Sequence, residues 1–486
     1  MRQINKDILK LALPSILANI TVPLVGMVDI AVAGHLDTNA ATMIGGIAIG
    51  SMLFDLLYWN FGFLRVGTGG LTAQAFGKQD WKECARILTR ALGISLGIAF
   101  CLILIQWIFV KAAFLVVDCT PQVRELASRY FFIRIWAAPA TLSLMALKGW
   151  FIGMQDSVSA MITDFVVNGM NILMSVVLAL GITLPSAGVL VKGMGFSGIA
   201  AGTVAAQYSG LLVAMLLVAF KYRRRVFEGF SSADFKGVFE GSETRRFFVM
   251  NADLFVRSLC FIAIYIGFTV ISARYGDVLL AVSSIMMKIL MIFSYFTDGF
   301  AYAGEAMTGR YIGACDLPNL RKTVKWTFVW SMGLAAAFVA IYHFGGVLLL
   351  KMMTSDDVVV EASKAFLPWL VLMPVVGCAA FTWDGIFIGA TGSKEMRNSM
   401  LWSVVAFAAV WIAGVIVLNV YQPSPSGILS TVPDLSSVPS DAVSVPTRYG
   451  VAAMHILMGA YFAHLLARTV YLTVKSPLVY DCVKQS

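Results

Sequence analysis

The stretch Pro23–Gly34, PLVGMVDIAVAG, carries one carboxylate, Asp29, inside an apolar run that begins near Ile8. A run of this length can cross a hydrocarbon core about 30 Å thick, which takes about 20 apolar residues in a helix. An unpaired Asp at that depth costs roughly 2.5–3.5 kcal/mol on insertion scales. A chain that keeps one there supplies a partner, a proton or an ion. Asp29 is therefore the first candidate for a coupling-ion site in a membrane protein.

The rest of the chain supports a membrane setting. Its 486 residues are 59% hydrophobic and only 13% charged, about half the charge of a soluble domain. The net charge of +9 reads as basic loops that orient a membrane protein rather than as a nucleic-acid surface, because no basic stripe with interleaved aromatics occurs. The seven cysteines are scattered, with no C-x-x-C, so neither a thiol metal site nor a disulfide framework is expected. Arg2, Lys6 and Lys10 resemble the start of a secretory signal, and Ala31–Gly34 its cleavage site. The apolar run between them is too long for a signal and contains Asp29, so a retained first span is expected.

About twelve spans follow from runs near twenty apolar residues. The first six lie near 8–34, 42–66, 88–115, 126–152, 158–182 and 194–220. The second six lie near 247–273, 279–308, 324–350, 362–389, 398–420 and 450–474. Alternate loops collect Lys78, Lys82, Arg86 and Arg90, then Lys221, Arg223, Arg224, Arg225, Lys236, Arg245 and Arg246, then Arg310, Arg321, Lys322 and Lys325, then Lys394 and Arg397. By the positive-inside rule those loops and both termini are cytoplasmic.

The chain also repeats itself. FIGMQ at Phe151 returns as FIGAT at Phe387, and GKQD ending at Asp80 returns as GACD ending at Asp316, each 236 positions on. The expected fold is all-α and polytopic, with about twelve transmembrane helices in two pseudo-symmetric six-helix lobes. Residues 1–220 form the first lobe, 221–246 a basic cytoplasmic linker, and 247–486 the second lobe with a polar outer loop at 422–449.

Other polar groups sit at membrane depth. Asn168, Asn171 and Ser175 lie in the fifth span, the last two one helical turn apart. Thr203 and Gln207 share a face of the sixth span, where Gly195, Gly198 and Gly202 allow close helix approach. Carboxylate, amide and hydroxyl oxygens suit Na⁺ or a hydrogen-bonded protonatable Asp. The bland alternative is that the Asn and Thr side chains only bond neighbouring helices. Asp55, Lys288, Asp298 and Glu305 are candidate cavity-lining residues, with Asp298 and Glu305 on one face of the eighth span. Asp253 and Arg257, spaced i,i+4, are expected to pair. Arg65, Arg134 and Lys148 are expected to snorkel from span ends. Pro14, Pro23, Pro139 and Pro374 are expected to interrupt helices. The motifs of zinc proteases, P-loop proteins and serine hydrolases do not occur, so the chain reads as a non-enzyme.

The segments ALPSILANITVPLVGMVDIAVAGHL, FLRVGTGGLTAQAFG, IRIWAAPATLSLMALKGWFIGMQ, NADLFVRSLC and DGFAYAGEAMTGRYIG resemble the multidrug and toxic compound extrusion (MATE) family, DinF-like branch. The resemblance implies a V-shaped pair of lobes. It also implies efflux of small, cationic organic compounds by antiport against H⁺ or Na⁺ in the bacterial inner membrane. Asp29 matches the family's acidic residue in the first helix, Asn171 the fifth-helix Asn and Thr203 the sixth-helix Thr near the ion site. Ser175 stands where some members have a second carboxylate, which favours a proton over a caged Na⁺. A monomer with no cofactor and no nucleic-acid partner is expected. A lipid or lipid-linked oligosaccharide flippase of the same superfamily is the alternative; it would use Arg65, Arg134, Lys148, Arg257 and Lys288 as a cationic cavity.

Overall fold

A computed structural model of the chain describes residues 2–34, 36, 40–115, 117, 119–184, 188–228, 242–354, 356–421 and 447–485. Twelve helical segments in it are long and apolar enough to cross a membrane. The first six are Arg2–Ala33, Thr42–Gly77, Trp81–Ala113, Pro121–Gly153, Ser157–Leu180 and Phe196–Phe227. The second six are Thr244–Ala273, Asp277–Gly313, Leu317–Met353, Leu367–Gly389, Ser393–Tyr421 and Arg448–Asp481. They match the expected spans in order, and most overshoot them by a turn or two because the helices continue past the apolar runs. Residues 229–241 of the linker and 422–446 of the polar loop, with His35 and Lys236, lie outside the described residues.

The repeat is visible in the backbone. Four non-glycine residues have positive φ: Gln79 (60°), Gln155 (64°), Cys315 (55°) and Thr391 (54°). Cys315 follows Gln79 by 236 positions, and Thr391 follows Gln155 by the same interval. Each turns the chain between two antiparallel spans at the end that carries the basic loops. A left-handed L-residue costs roughly 1–2 kcal/mol, and the same strained corner at both copies marks a duplicated unit. The next residue repeats too, since Asp80 caps the third span through the Glu83 N–H (2.9 Å) and Asp316 caps the ninth through the Asn319 N–H (3.0 Å).

The cores show how the lobes meet. One buried cluster, from Val32 to Ala200, belongs wholly to the first lobe, and another, from Cys260 to Leu465, wholly to the second. Two further clusters mix residues of both lobes. One joins Val66, Leu71 and Trp150 to Ile312, Ile386 and Phe387; the other joins Ile8, Ala12 and Ile16 to Phe300, Ala303 and Met307. The lobes therefore share a core toward the basic end and keep separate cores toward the far end, as a V does. At the junction a Cβ on Gly77 would overlap the Arg310 carbonyl, and one on Gly313 would overlap the Gln74 carbonyl. Arg310 and Gly313 are the 236-position counterparts of Gln74 and Gly77, so the same contact is made twice across the pseudo-twofold axis.

Three expectations change. Pro14 and Pro23 lie inside one continuous helix, Arg2–Gly34, and Pro374 inside Leu367–Gly389. Only Pro139 sits at a break, in the first turn of Ala138–Gly153 after a 3₁₀ turn at Ile135–Ala137. A second break, the 3₁₀ turn Asn60–Gly62, divides the second span without a proline. The all-α chain also carries one short antiparallel hairpin, Ile182–Leu184 with Gly188–Val191, between the fifth and sixth spans.

Candidate functional site

Asp29 is buried, 7% exposed, between the first, fifth and sixth spans. The Ser175 hydroxyl lies within hydrogen-bonding reach of it, and the Arg134 guanidinium of the fourth span within electrostatic reach. Asn171 donates from Nδ2 to Thr203 Oγ1 at 3.0 Å, and the Thr203 and Ser175 hydroxyls both donate to the Ile199 carbonyl, at 3.3 and 3.5 Å. Asn168 donates to Thr21 Oγ1 on the first span, a partner the sequence did not suggest. Small residues make this convergence possible. A Cβ on Gly202 would overlap the Ser175 backbone, and one on Gly198 the Leu178 carbonyl. Ser175 thus lies beside Asp29, with Asn171 and Thr203 joined to it through the Ile199 carbonyl, while Asn168 bonds Thr21, about two helical turns along the first span from Asp29.

Two acceptors in this group have no donor. Asp29 Oδ1 and Asn171 Oδ1 are buried and without a hydrogen-bond partner. A buried acceptor left unpaired costs about 1–3 kcal/mol, more when charged.

A second set of charges lies where the lobes join. Arg65 Nη1 meets Glu305 Oε2 at 3.1 Å across the lobe boundary, with the Glu305 side chain fully buried, and the guanidinium sits 4.5 Å from the Tyr302 ring centre. Asp384 is shared by Arg257 and Arg468, the latter donating from Nε to Asp384 Oδ1 at 3.0 Å. Arg65, Arg257, Asp298, Tyr302, Glu305 and Asp384 line a cavity of about 120 Å³. Lys148 pairs with Asp164 at 2.6 Å.

Several sequence readings are corrected here. Asp253 and Arg257 do not pair. Asp253 takes Arg397 Nη1 (2.5 Å) and Ser393 Oγ (3.0 Å), while Arg257 turns to Asp384. Arg65 and Lys148 are ion-paired inside the protein instead of snorkelling. Arg134 is held over the Phe54 ring (4.8 Å) and donates to Tyr130 Oη (3.0 Å). Asp298 and Glu305 do line one cavity, but Lys288 is exposed and apart from it. Asp55 is exposed too, outside the Asp29 pocket, although Arg134 lies within electrostatic reach of both carboxylates.

Asp384 and Arg468 were not singled out from the sequence. The repeat offered a signal for the first, because Asp384 is the 236-position counterpart of Lys148. Arg468, 2% exposed, lies in the twelfth span and has no such pointer.

Comparison with known proteins agrees with this architecture. The family model described as MatE matches twice, at residues 14–177 and 254–418, once in each lobe. The chain is 36% identical over 404 residues to DNA damage-inducible protein F of Escherichia coli (strain K12), covering 83% of this chain and 84% of that protein. It is 25% identical over 418 residues to the probable multidrug resistance protein NorM of Photorhabdus laumondii, covering 84% and 86%. Among solved structures, an outward-facing multidrug resistance MATE family transporter of the MOP superfamily superimposes with a TM-score of 0.79 at 15% identity, over 98% of this chain and 96% of that one.

Proposed function

From the premise that this chain belongs to the MatE family, we propose that it is a secondary antiporter exporting small organic compounds. The observation that carries the mechanism is the pair of orphaned oxygens, Asp29 Oδ1 and Asn171 Oδ1, both buried. Asp29 takes up the coupling ion, with Asn171, Asn168, Thr203 and Ser175 holding it in place. With Ser175 neutral and one carboxylate in the pocket, the ion is a proton; Na⁺ held by the same oxygens is the alternative. A proton gives Asp29 the donor its pocket lacks and removes the cost of a buried charge.

The basic loops support a joined end that faces the cytoplasm, by the positive-inside rule, and on this reading the chain sits in a bacterial inner membrane with both termini inside. The open end then faces outward. Uptake of the ion into the first lobe drives exchange only if the two lobe arrangements bind it with different affinity. The two halves, 1–220 and 247–486, are the moving units and 221–246 links them; a monomer suffices. The exported compounds carry positive charge, which the exposed Asp55 carboxylate accommodates.

A flippase handling lipid phosphates would want unpaired cations in the cavity. Of the five cations that reading would use, Arg65, Lys148 and Arg257 are each matched by a carboxylate, Arg134 is bonded to Tyr130 and Lys288 has no ion pair among the described residues, so most of the positive charge is neutralised, which favours the exporter.

The test is counterflow in proteoliposomes with separately imposed H⁺ and Na⁺ gradients and a panel of dyes and lipids. Dye efflux driven by H⁺ alone is expected. Efflux driven only by Na⁺ would reassign the ion, and lipid movement without dye efflux would favour the flippase.

A further inference from the structure

Every ion pair named so far lies within one lobe except Arg65 with Glu305, which joins the two at 3.1 Å. The repeat shows why this tie is made once. The 236-position counterpart of Glu305 is Gly69, and that of Arg65 is Ala301. A Cβ on Gly69 would fall 1.9 Å from Glu305 Oε1. The Glu305 carboxylate therefore reaches across the pseudo-twofold axis onto its own counterpart, and side chains at both positions would collide. The backbone around the tie does repeat. A Cβ on Gly149 would overlap the Arg65 carbonyl, and one on its counterpart Gly385 the Ala301 carbonyl. So close an approach leaves room for one carboxylate on the axis.

The two oxygens of that carboxylate differ. Oε2 meets Arg65, while Oε1 is buried and accepts from no donor. Asp298 lines the same cavity, seven residues earlier in the eighth span and so about 10 Å farther from the basic end. It takes part in no ion pair among the described residues. The remaining charges around the cavity are already matched, Arg257 and Arg468 by Asp384, and Lys148 by Asp164. The other titratable neighbour is Tyr302, under the Arg65 guanidinium. The ninth span presents Thr327 to Gly304 and the first presents Ile16 to Gly299, both uncharged.

We propose that Glu305 is a proton-operated lock on the joint. As a carboxylate it holds Arg65 and keeps the lobes together at the basic end; as a neutral acid it lets them part. The proton comes from the open side by way of Asp298 and lands on Oε1, the oxygen that Arg65 does not use. No bond between heavy atoms forms or breaks, and Arg65 keeps its charge. A buried cation whose partner has been neutralised is uncompensated, and opening the basic end returns it to water. The same water takes the proton from Glu305, and the restored charge draws Arg65 back when the lobes close. This rests on the exporter reading, with its joined end in the cytoplasm, and gives the joint a release of its own, separate from Asp29.

The experiment measures distances between spin labels placed only at Gln79 and Cys315, on the full-length protein in nanodiscs, with Asp29→Asn in every sample so that the first-lobe carboxylate cannot respond. Lowering pH from about 8 to about 5, a range that covers buried carboxylates, is expected to raise the long-distance population at least about fivefold. Adding Glu305→Gln should give the long distance at every pH. Arg65→Gln with Glu305→Gln, which leaves no charge stranded, should give the short distance at every pH and shows that the glutamine folds into a closed joint. Asp298→Asn should keep the pH response, because a relay changes the rate and not the equilibrium. Distances that ignore pH, a response that survives Glu305→Gln, or one that vanishes with Asp298→Asn would each overturn the lock. The exporter reading is tested separately, by gradient-driven flux.

Discussion

The two lobes share a backbone plan and differ in their chemistry. Counterparts 236 positions apart show this directly. Lys148 of the first lobe answers to Asp384 of the second, Gly69 to Glu305, Asp29 to Tyr265, and Asn171 to Phe407. The corners and caps repeat, as Gln79 with Cys315 and Asp80 with Asp316 illustrate, while the buried charges inside the spans do not. Backbone geometry at the turns is needed twice for two lobes to meet across an axis. A coupling site is needed once, and symmetric carboxylates facing across a small cavity would repel. The asymmetry puts the buried Asp29 carboxylate, the proposed ion site, in the first lobe and a neutralised charge network at the joint.

The sharpest way to break this comparison is to remove the ion pocket and the joint separately. Asp29→Asn is expected to reduce gradient-driven efflux to background, a loss of at least about 100-fold, with normal membrane insertion. Coupled efflux retained in that variant would end the assignment of the first lobe as the coupling lobe.

The next contrast is energetic. Asp384→Asn leaves Arg257 and Arg468 without their carboxylate, with Arg468 2% exposed. Breaking a buried ion network in this way should cost about 3–5 kcal/mol. Its counterpart Lys148→Met breaks a pair 24% exposed on both sides, where about 1 kcal/mol is expected. Thermal unfolding in detergent measures both, and equal costs would mean that the lobes are stabilised alike.

Arg65→Gln tests the joint. It leaves Glu305 buried beside an uncharged partner, costing about 1–3 kcal/mol, and should bias the lobes toward opening at the basic end. Spin labels on Gln79 and Cys315 would report a longer or broader distance. Glu305→Gln in the same chain should reverse much of that change by removing the stranded charge.

The smallest effect concerns Asp156, outside the spans, whose counterpart is Gly392. Burial opposes its ionisation, but hydrogen bonds from Lys221, Ser159 and Tyr222 outweigh that and hold it below its ordinary value of 3.8. A carboxylate lowered in the folded state gives stability that is complete above the ordinary value and is lost as pH falls through the lowered one. Melting temperature should therefore drop on acidification below 3.8, and Asp156→Asn should flatten that slope. An unchanged slope would remove Asp156 from the account.

Much of this was legible in the sequence, for identifiable reasons. Apolar runs of membrane length gave the spans, and two short strings gave the repeat because the close-packed glycines Gly77/Gly313 and Gly153/Gly389 and the capping aspartates Asp80/Asp316 recur. Asp29, Asn171, Ser175 and Thr203 were found because a helical turn relates the pairs and polarity at depth is costly. Pairings between distant spans were not legible. Asp253 looked matched to Arg257 one turn away, yet tertiary packing gave each a partner more than a hundred residues on. Arg65 and Lys148 looked able to reach an interface, and only the fold shows carboxylates closer than water. The helix passing unbroken through Pro14 and Pro23 was hidden as well, since neighbouring spans support what a proline would otherwise break.

The shared core at the basic end also has a mechanical meaning. The eighth and ninth helices each run 37 residues, about 55 Å at 1.5 Å per residue. Pivoted at one end, arms of that length turn a tilt of about 10° into a sweep of roughly 10 Å at the tip. If the lobes pivot there, a sub-ångström adjustment among buried residues at the fulcrum is geared up to several ångströms at the mouth.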